Sequence, residues 1–244
     1  MKKVLVGEMT WPEAEVAIKE AKAVIVPLGA VEEHGYHLTL ETDNIIGRYV
    51  AERLARETGC VAMPLVPYGQ VWSAKDFPGS CPIKDRNFVN YIKDICINLE
   101  EKGARNIILF SSHWGNKSST RTVARELYDE KGYKNIYYLS YFNMAKTAEG
   151  IMETPLWNND DSGFHSAEIE TSIALYVAPE SVDMSKAVNE YPVPPFDVDI
   201  RPVSWIDYAK SGVFGDASAS TAEKGRLFLD RWLGNLKELI DKIQ

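Results

Sequence analysis

No stretch of this 244-residue sequence approaches the roughly 20 consecutive apolar residues that a membrane-spanning helix needs. It has no run of lysine and arginine either, and its formal net charge is −8. The basic face that a nucleic-acid backbone or an anionic membrane surface would require is therefore missing, which excludes both as partners. The opening, MKKVLVGEMTWPEAE, carries two lysines, but Glu8, Glu13 and Glu15 interrupt any candidate signal core. The expected location is the cytoplasm. Cysteine is scarce: Cys60, Cys81 and Cys96 are odd in number and lack CxxC spacing, which argues against a disulfide framework or a zinc ribbon. Cys60 and Cys96 lie in apolar-patterned segments and read as small core residues, while Cys81 could line a pocket. Neither GxGxxG nor GxxxxGK[ST] occurs, which argues against a nucleotide-binding site. Histidine is limited to His34, His37, His113 and His165.

What remains is an ordinary globular composition, 45 % apolar and 25 % charged. The apolar run at 23–28 reads as a buried strand, and 60–66, 105–112 and 135–142 read as further strands. Between them, 43–57 repeats Ile46, Val50 and Leu54 at helical spacing and ends at Gly59. The segment 86–102 repeats Phe88, Ile92, Ile95 and Leu99 before Gly103, and 117–131 also reads as helix. Alternating strands and helices predict an α/β fold, with helices on both faces of a mainly parallel sheet. In such sheets ligands bind beyond the carboxyl ends of the strands. Later, 167–177 reads as helix, 178–215 as a proline-rich excursion packing on the body or on a neighbouring subunit, and the last segment as a helix with a Ser220/Glu223 capping box. With no repeat and no flexible linker, residues 1–244 are expected to form a single domain.

The histidines fall at predicted loop edges, each with a polar or glycine neighbour. Glu32-Glu33-His34-Gly35-Tyr36-His37 follows the first strand, and Asp43 stands where the next helix begins. Residues two apart in extended chain point the same way, so Glu32 and His34 can converge on one site. Imidazole and carboxylate are common ligands of zinc, manganese and iron. At Asp43 the plainer reading is an N-cap. Ser111-Ser112-His113-Trp114-Gly115-Asn116 follows the third strand, on the same predicted sheet edge. His165 opens a helix whose first turn carries Glu168 and Glu170, where carboxylates also offset the helix dipole.

At these residues the sequence resembles the creatininase (creatinine amidohydrolase) family. The family segment Pro-x-Gly-x-x-Glu-x-His-Gly-x-His-Leu-Pro, with an Asp eleven residues after the Glu, reads here PLGAVEEHGYHLTLETD. Asn-Gly-His-Gly-Gly-Asn becomes SSHWGN, and His-Ala-Gly-Glu-x-Glu-Thr-Ser becomes HSAEIETS. FPGS at 77–80 and FGDAS at 214–218 match further segments in order. The resemblance implies a single-domain, three-layer α/β/α fold that binds two divalent metal ions, with zinc expected first and manganese or iron as alternatives. It implies that Glu32 and His113 hold one ion, that His34 helps hold the other, and that Asp43 bridges them. In creatininase itself a further carboxylate ligand lies two residues after the second-motif His, where this sequence has Gly115. Glu168 is the expected replacement, both as metal ligand and as a group orienting water. The resemblance assigns His165 to general acid/base catalysis. Trp114, His37 and Ser80 are expected near substrate, with His37 steadying a ligand by hydrogen bond. Trp72 and Trp157 either wall the pocket or pack in the core.

The implied chemistry is attack of metal-bound water on a carbonyl. Family members open creatinine, deformylate a pyrimidine, cleave a peptide, or hydrolyse a C–C bond in a cyclic keto-inositol. Thr39-Leu40, Trp114 and Ser166-Ala167 depart from the family pattern and argue against simple transfer of creatinine as substrate. A small cyclic or linear amide, formamides included, is the first expectation and a cyclic keto-polyol the second. Gly115 keeps open a non-catalytic, ligand-binding member. The family also implies a homo-oligomer, with a hexamer expected.

Overall fold

The computed structural model describes residues 3–141, 143–156 and 164–244. Four strands form one parallel sheet: β1 (Val24–Leu28), β2 (Val61–Ala62), β3 (Ile107–Ser111) and β4 (Ile136–Leu139), in the order β2-β1-β3-β4. β1 and β3 pair along their whole length, from Val24 opposite Ile107 to Leu28 opposite Ser111. Both are buried on both faces, which is why they read as unbroken apolar runs.

Side chains alternate across these strands. Ile25, Ile108 and Phe110 face a core built with Ile46, Val50 and Leu54 of α2 (Thr42–Thr58) and Phe228, Trp232 and Leu236 of the C-terminal helix. Val24, Val26, Ile107 and Leu109 face the other core, with Ile18, with Phe88 and Ile92, and with Val123 and Leu127. Those residues belong respectively to α1 (Trp11–Glu20), α3 (Asp85–Glu101) and α4 (Lys117–Lys131). The expected α/β fold with three layers is the one observed.

Several elements differ from the sequence reading. Helix α1 was not anticipated, although Thr10 and Glu13 form a reciprocal capping box at its start. The second strand is two residues long: Val61 and Met63 donate to Ala23 and Ile25 of the β1 segment, but the next donor, to Pro27, is Val66 rather than Leu65, and this one-residue bulge leaves an isolated bridge between Leu28 and Val66. After the short α5 (Met144–Ala148) come α6 (Glu168–Val177) and, last, α7 (Ala222–Asp241). The cap of α7 is Thr221, which accepts from the Lys224 amide; Ser220 instead donates to the main-chain oxygen of Glu168. α2 does end at Gly59, which takes the left-handed φ of +73° that closes a helix cheaply.

The excursion 178–215 returns to the body. A two-stranded antiparallel ribbon, β5 (Asn189–Glu190) with β6 (Gly215–Asp216), ties its ends together, and Val182 bridges to Leu38. Trp205 and Phe214 thereby come to lie over the carboxyl edge of the sheet. Among the described residues no helix is long and apolar enough to cross a membrane.

Candidate metal centre

β1 and β3 run parallel and in register, so the segments leaving them emerge on one edge. Glu32, Glu33 and His34 leave β1, His113 leaves β3, and Asp43 sits in the first turn of α2. Ser112 donates to the main-chain oxygen of Asp43 at 2.7 Å, which pins the start of α2 to the end of β3. Asn116 ties the neighbouring loops: its amide donates to Gly29 O at 3.0 Å, and its carbonyl accepts from Gln70 N–H at 2.9 Å.

The result is a buried nest of carboxylates and imidazoles. Three triads have their donor atoms within 4.8 Å of one another: Glu32/Asp43/His113, His34/Asp43/Glu170 and Glu32/His34/His165. Asp43 belongs to the first two. Its Oδ2 is 3.1 Å from His113 Nδ1, and its Oδ1 is 3.7 Å from His34 Nε2. Glu32 Oε2 lies 3.2 Å from His113 Nδ1, and Glu170 Oε2 lies 3.7 Å from His34 Nε2.

The histidine tautomers follow from their other partners. His34 Nδ1 is 3.2 Å from the carbonyl of Glu32, and His113 Nε2 is 2.7 Å from the carbonyl of Gln70. A carbonyl only accepts, so those nitrogens carry protons and the opposite nitrogens present lone pairs to the nest. His34 Nε2 is buried with no hydrogen-bond partner. Glu32, Asp43 and Glu170 are 2–3 % exposed, and among the described residues none is paired with lysine or arginine. Three buried carboxylates lacking a fixed cation, beside an orphaned imidazole nitrogen, fit divalent metal ions.

Protons compete with metal ions for the nitrogens that face the nest. Burial opposes a charge on His113, yet Glu32 and Asp43 hold its pKa well above the ordinary value. Burial raises the Glu32 carboxyl, but His113 and the other histidines bring it down to about 2. Glu170 is pushed up, by burial first and by Asp43 as well. His37 is lowered to about 4 by burial and the nearby His34, so it is neutral at pH 7. For His165, burial is outweighed by Glu33, Glu32 and Glu170, which push it up to about 10.

Above the nest is a cavity of about 130 Å³. Trp72, Trp114, Phe164, Trp205 and Phe214 form its apolar walls. Apart from the nest and His165, Gln70 and Ser73 bring the polar side chains. Among the described residues no lysine or arginine lines it.

A family model, Creatininase (creatinine amidohydrolase), matches residues 7–240. The chain belongs to the creatininase family. It is 30 % identical over 245 residues to the creatinine amidohydrolase of Pseudomonas putida, covering 94 % of this chain and 93 % of that one. It is 26 % identical to the 3-dehydro-scyllo-inosose hydrolase of Thermotoga maritima, covering 96 % and 82 %. A solved manganese form of creatininase and a Zn–Zn form of a variant each superpose with a TM-score of 0.82 at 27 % identity, covering 99 % of this chain and 98 % of theirs. The chain is thus a creatininase-family hydrolase.

Within this creatininase-family site the structure brings together Glu32, His34, Asp43, His113 and His165. It does not bring Glu168. That carboxylate turns away, accepting from Lys224 Nζ at 2.6 Å, from Thr154 Oγ1 at 2.6 Å and from the Thr154 amide at 2.8 Å. Glu170 stands in the nest in its place, its Oε2 accepting from the Ser166 amide at 2.7 Å. Two residues along a helix turn the side chain by about 200°, so Glu168 and Glu170 cannot both face inward.

Of the expected substrate contacts, Trp114 and Trp72 line the cavity. His37 and Ser80 do not. His37 Nε2 meets Thr171 Oγ1 at 2.8 Å, and Ser80 Oγ accepts from the Glu33 amide at 2.9 Å. Trp157 lies outside the described residues. Cys81 is exposed and away from the cavity, while Cys60 and Cys96 are buried; burial pushes the Cys96 thiol up to about 12. Sequence reasoning missed the inward turn of Glu170, the Gln70 carbonyl, and the walls Trp205 and Phe214. Glu170 carried a usable signal, its two-residue offset from Glu168; a main-chain carbonyl carries none.

Proposed function

We propose that this chain is a single-domain, divalent-metal-dependent hydrolase of a small amide, cyclic or linear, with formamides included. Glu32, Asp43 and His113 would hold one ion, and His34, Asp43 and Glu170 the other. Bound ions would supply Lewis acidity, lowering the pKa of water and polarising a carbonyl. Zinc is the first expectation, with manganese or iron also suited to these donors. His165 is the general acid/base: its Nε2 is held by Glu33, and its Nδ1 faces the nest, 3.9 Å from both Glu32 Oε2 and Glu170 Oε2. Bound ions would counter the carboxylate charge that raises His165, leaving Nδ1 free to take a proton from the attacking water and return it to the leaving nitrogen. The aromatic walls exclude bulk water and stack against a flat group.

The observation that carries the amide reading is the character of the cavity. A cavity of about 130 Å³ walled by aromatic rings suits a small flat molecule better than an extended peptide. Ring walls with few polar side chains suit a planar amide. A polyol would leave several hydroxyls without partners, and each buried unpaired polar group costs about 1–3 kcal/mol. The keto-polyol reading rests on the Thermotoga maritima relative and is the competing outcome of the test.

The zinc-, manganese- and iron-reconstituted chain is to be assayed against cyclic amides, linear amides, formamides and cyclic keto-polyols. Release of amine or formate supports the proposal. Turnover of keto-polyols alone moves the protein to C–C hydrolysis. No turnover with any metal favours a ligand-binding member.

We also propose a homo-oligomer, a hexamer on the family's pattern. Supporting it, Val193, Phe196 and Ile200 in the excursion are 83, 96 and 79 % exposed, apolar side chains that a subunit contact would cover. A monomeric mass by light scattering overturns it. The three cysteines are free, which suits the proposed cytoplasmic location.

A further inference from the structure

Glu33 lies between two nest residues in sequence, yet its carboxylate faces away from them, into a second buried contact. Its Oε1 is 3.1 Å from His165 Nε2, and its main-chain oxygen is also 3.1 Å from that nitrogen. Both are acceptors, so the Nε2 proton sits between two oxygens of one residue. The other carboxylate oxygen, Oε2, accepts from the Gly35 amide at 3.0 Å. The Glu33 amide in turn donates to Ser80 Oγ at 2.9 Å, so the main chain is fixed as well. The carboxylate rests against the backbone of Gly212, where φ is +74° and a Cβ would collide with all three carboxylate atoms. Glu33 is 6 % exposed and His165 9 %. His165 is further flanked by Trp205, with ring centroids 4.9 Å apart, and by His34 at 4.5 Å.

We infer that Glu33 is the positioning residue of His165, holding Nε2–H so that Nδ1 is the ring atom presented to the nest. A lone imidazole on a loop could rotate by 180° about χ2 and offer either nitrogen. The paired oxygens of Glu33 remove that freedom, since the flipped ring would set carbon against both acceptors. A carboxylate does this better than a neutral acceptor, because hydrogen bonds to an ionised group are about twice as strong. The general acid/base role of Nδ1 rests on the proposed hydrolysis. The orientation of the ring does not.

The test therefore reads the ring directly. In 15N-labelled, zinc-loaded chain, a long-range 1H–15N spectrum reports the protonation of each imidazole nitrogen, with His165 assigned by the signals lost in His165→Asn. The wild type is expected to show a protonated, pyrrole-type Nε2 with slow proton exchange. Glu33→Gln, which keeps an acceptor oxygen, should retain it. Glu33→Ala should lose that slow exchange and show mixed tautomers. With an amide substrate, Glu33→Ala should lower kcat by roughly tenfold or more while KM changes by less than about threefold, the pattern of a group that matters in the transition state. Glu33→Gln should restore most of the loss.

An unprotonated Nε2 in the wild type overturns the inference, whether or not any variant folds. It is equally overturned by a folded Glu33→Ala whose ring signals match the wild type, even if its Tm falls. If the ring behaves as expected and no amide is hydrolysed, the positioning stands and the amide reading fails.

Discussion

Glu170 Oε2 lies 3.7 Å from His34 Nε2, and both side chains are almost wholly buried. Two residues earlier on the same helix, Glu168 is bonded to Lys224 instead. The two carboxylates of one motif thus have separate tasks, one in the nest and one in the scaffold.

Elemental analysis separates them. The wild-type chain should hold two divalent ions. Glu170→Ala should fall toward one, and Glu168→Ala should keep two. Metal loss in Glu168→Ala at unchanged Glu170→Ala occupancy would reverse the assignment.

Metal removal should also cost stability, because three buried carboxylates then face one another without their cations. Ligand linkage gives about 2.7 kcal/mol per site at a hundredfold excess over Kd, or roughly 5–10 °C in Tm for a chain of this size. Calorimetry after chelation and after zinc readdition checks this. An unchanged Tm would mean that the nest holds no metal.

The Glu168–Lys224 pair should shape the acid limb of stability. Burial raises the Glu168 carboxyl, but hydrogen bonds from Lys224, Thr154 and Glu153 outweigh it, leaving the pKa below the ordinary 4.5. A carboxyl lowered by folding contributes fully above its unfolded value and loses that contribution as pH falls through the folded one. Lys224→Met should therefore cost about 3 kcal/mol at pH 7, since it strands a buried carboxylate, and the difference from wild type should shrink below about pH 4. Urea titrations across that range would show it, and a cost independent of pH would contradict it.

The resemblance to creatininase sets Gly115 where a carboxylate is expected, yet adding a side chain there should harm the site. A Cβ at Gly115 would collide with His113 Nε2 and with the Gln70 carbonyl that holds it. Gly115→Ala is expected to lower metal occupancy by weakening the grip on His113, and Gly115→Glu to do no better. Elemental analysis of the two variants decides it; full occupancy in both would show that the loop of Gln70 yields readily.

Much of this protein was legible as a chain. Apolar runs of five or six residues alternating with helical repeats dictate a parallel sheet covered on both faces, since only that arrangement buries such strands from both sides. Glu32, His34 and His113 stood out because metal-ligating residues follow closely on buried strands, and Asp43 because it falls in register with the creatininase segment. The capping box of α1 was equally present in Thr10 and Glu13, but α1 buries only Ala17 and Ile18, so no long apolar stripe marks it.

Other features only tertiary structure decided. Helix α6 is buried almost all round, so periodicity did not reveal whether Glu168 or Glu170 turns inward; the position of Lys224, 56 residues later than Glu168, settled that. The Gln70 carbonyl that orients His113, and the return of Trp205 and Phe214 over the sheet edge, depend on where distant loops pack. Local sequence records which groups can bond and which must be buried. Which partner each finds across the fold is set by the closure of the whole chain.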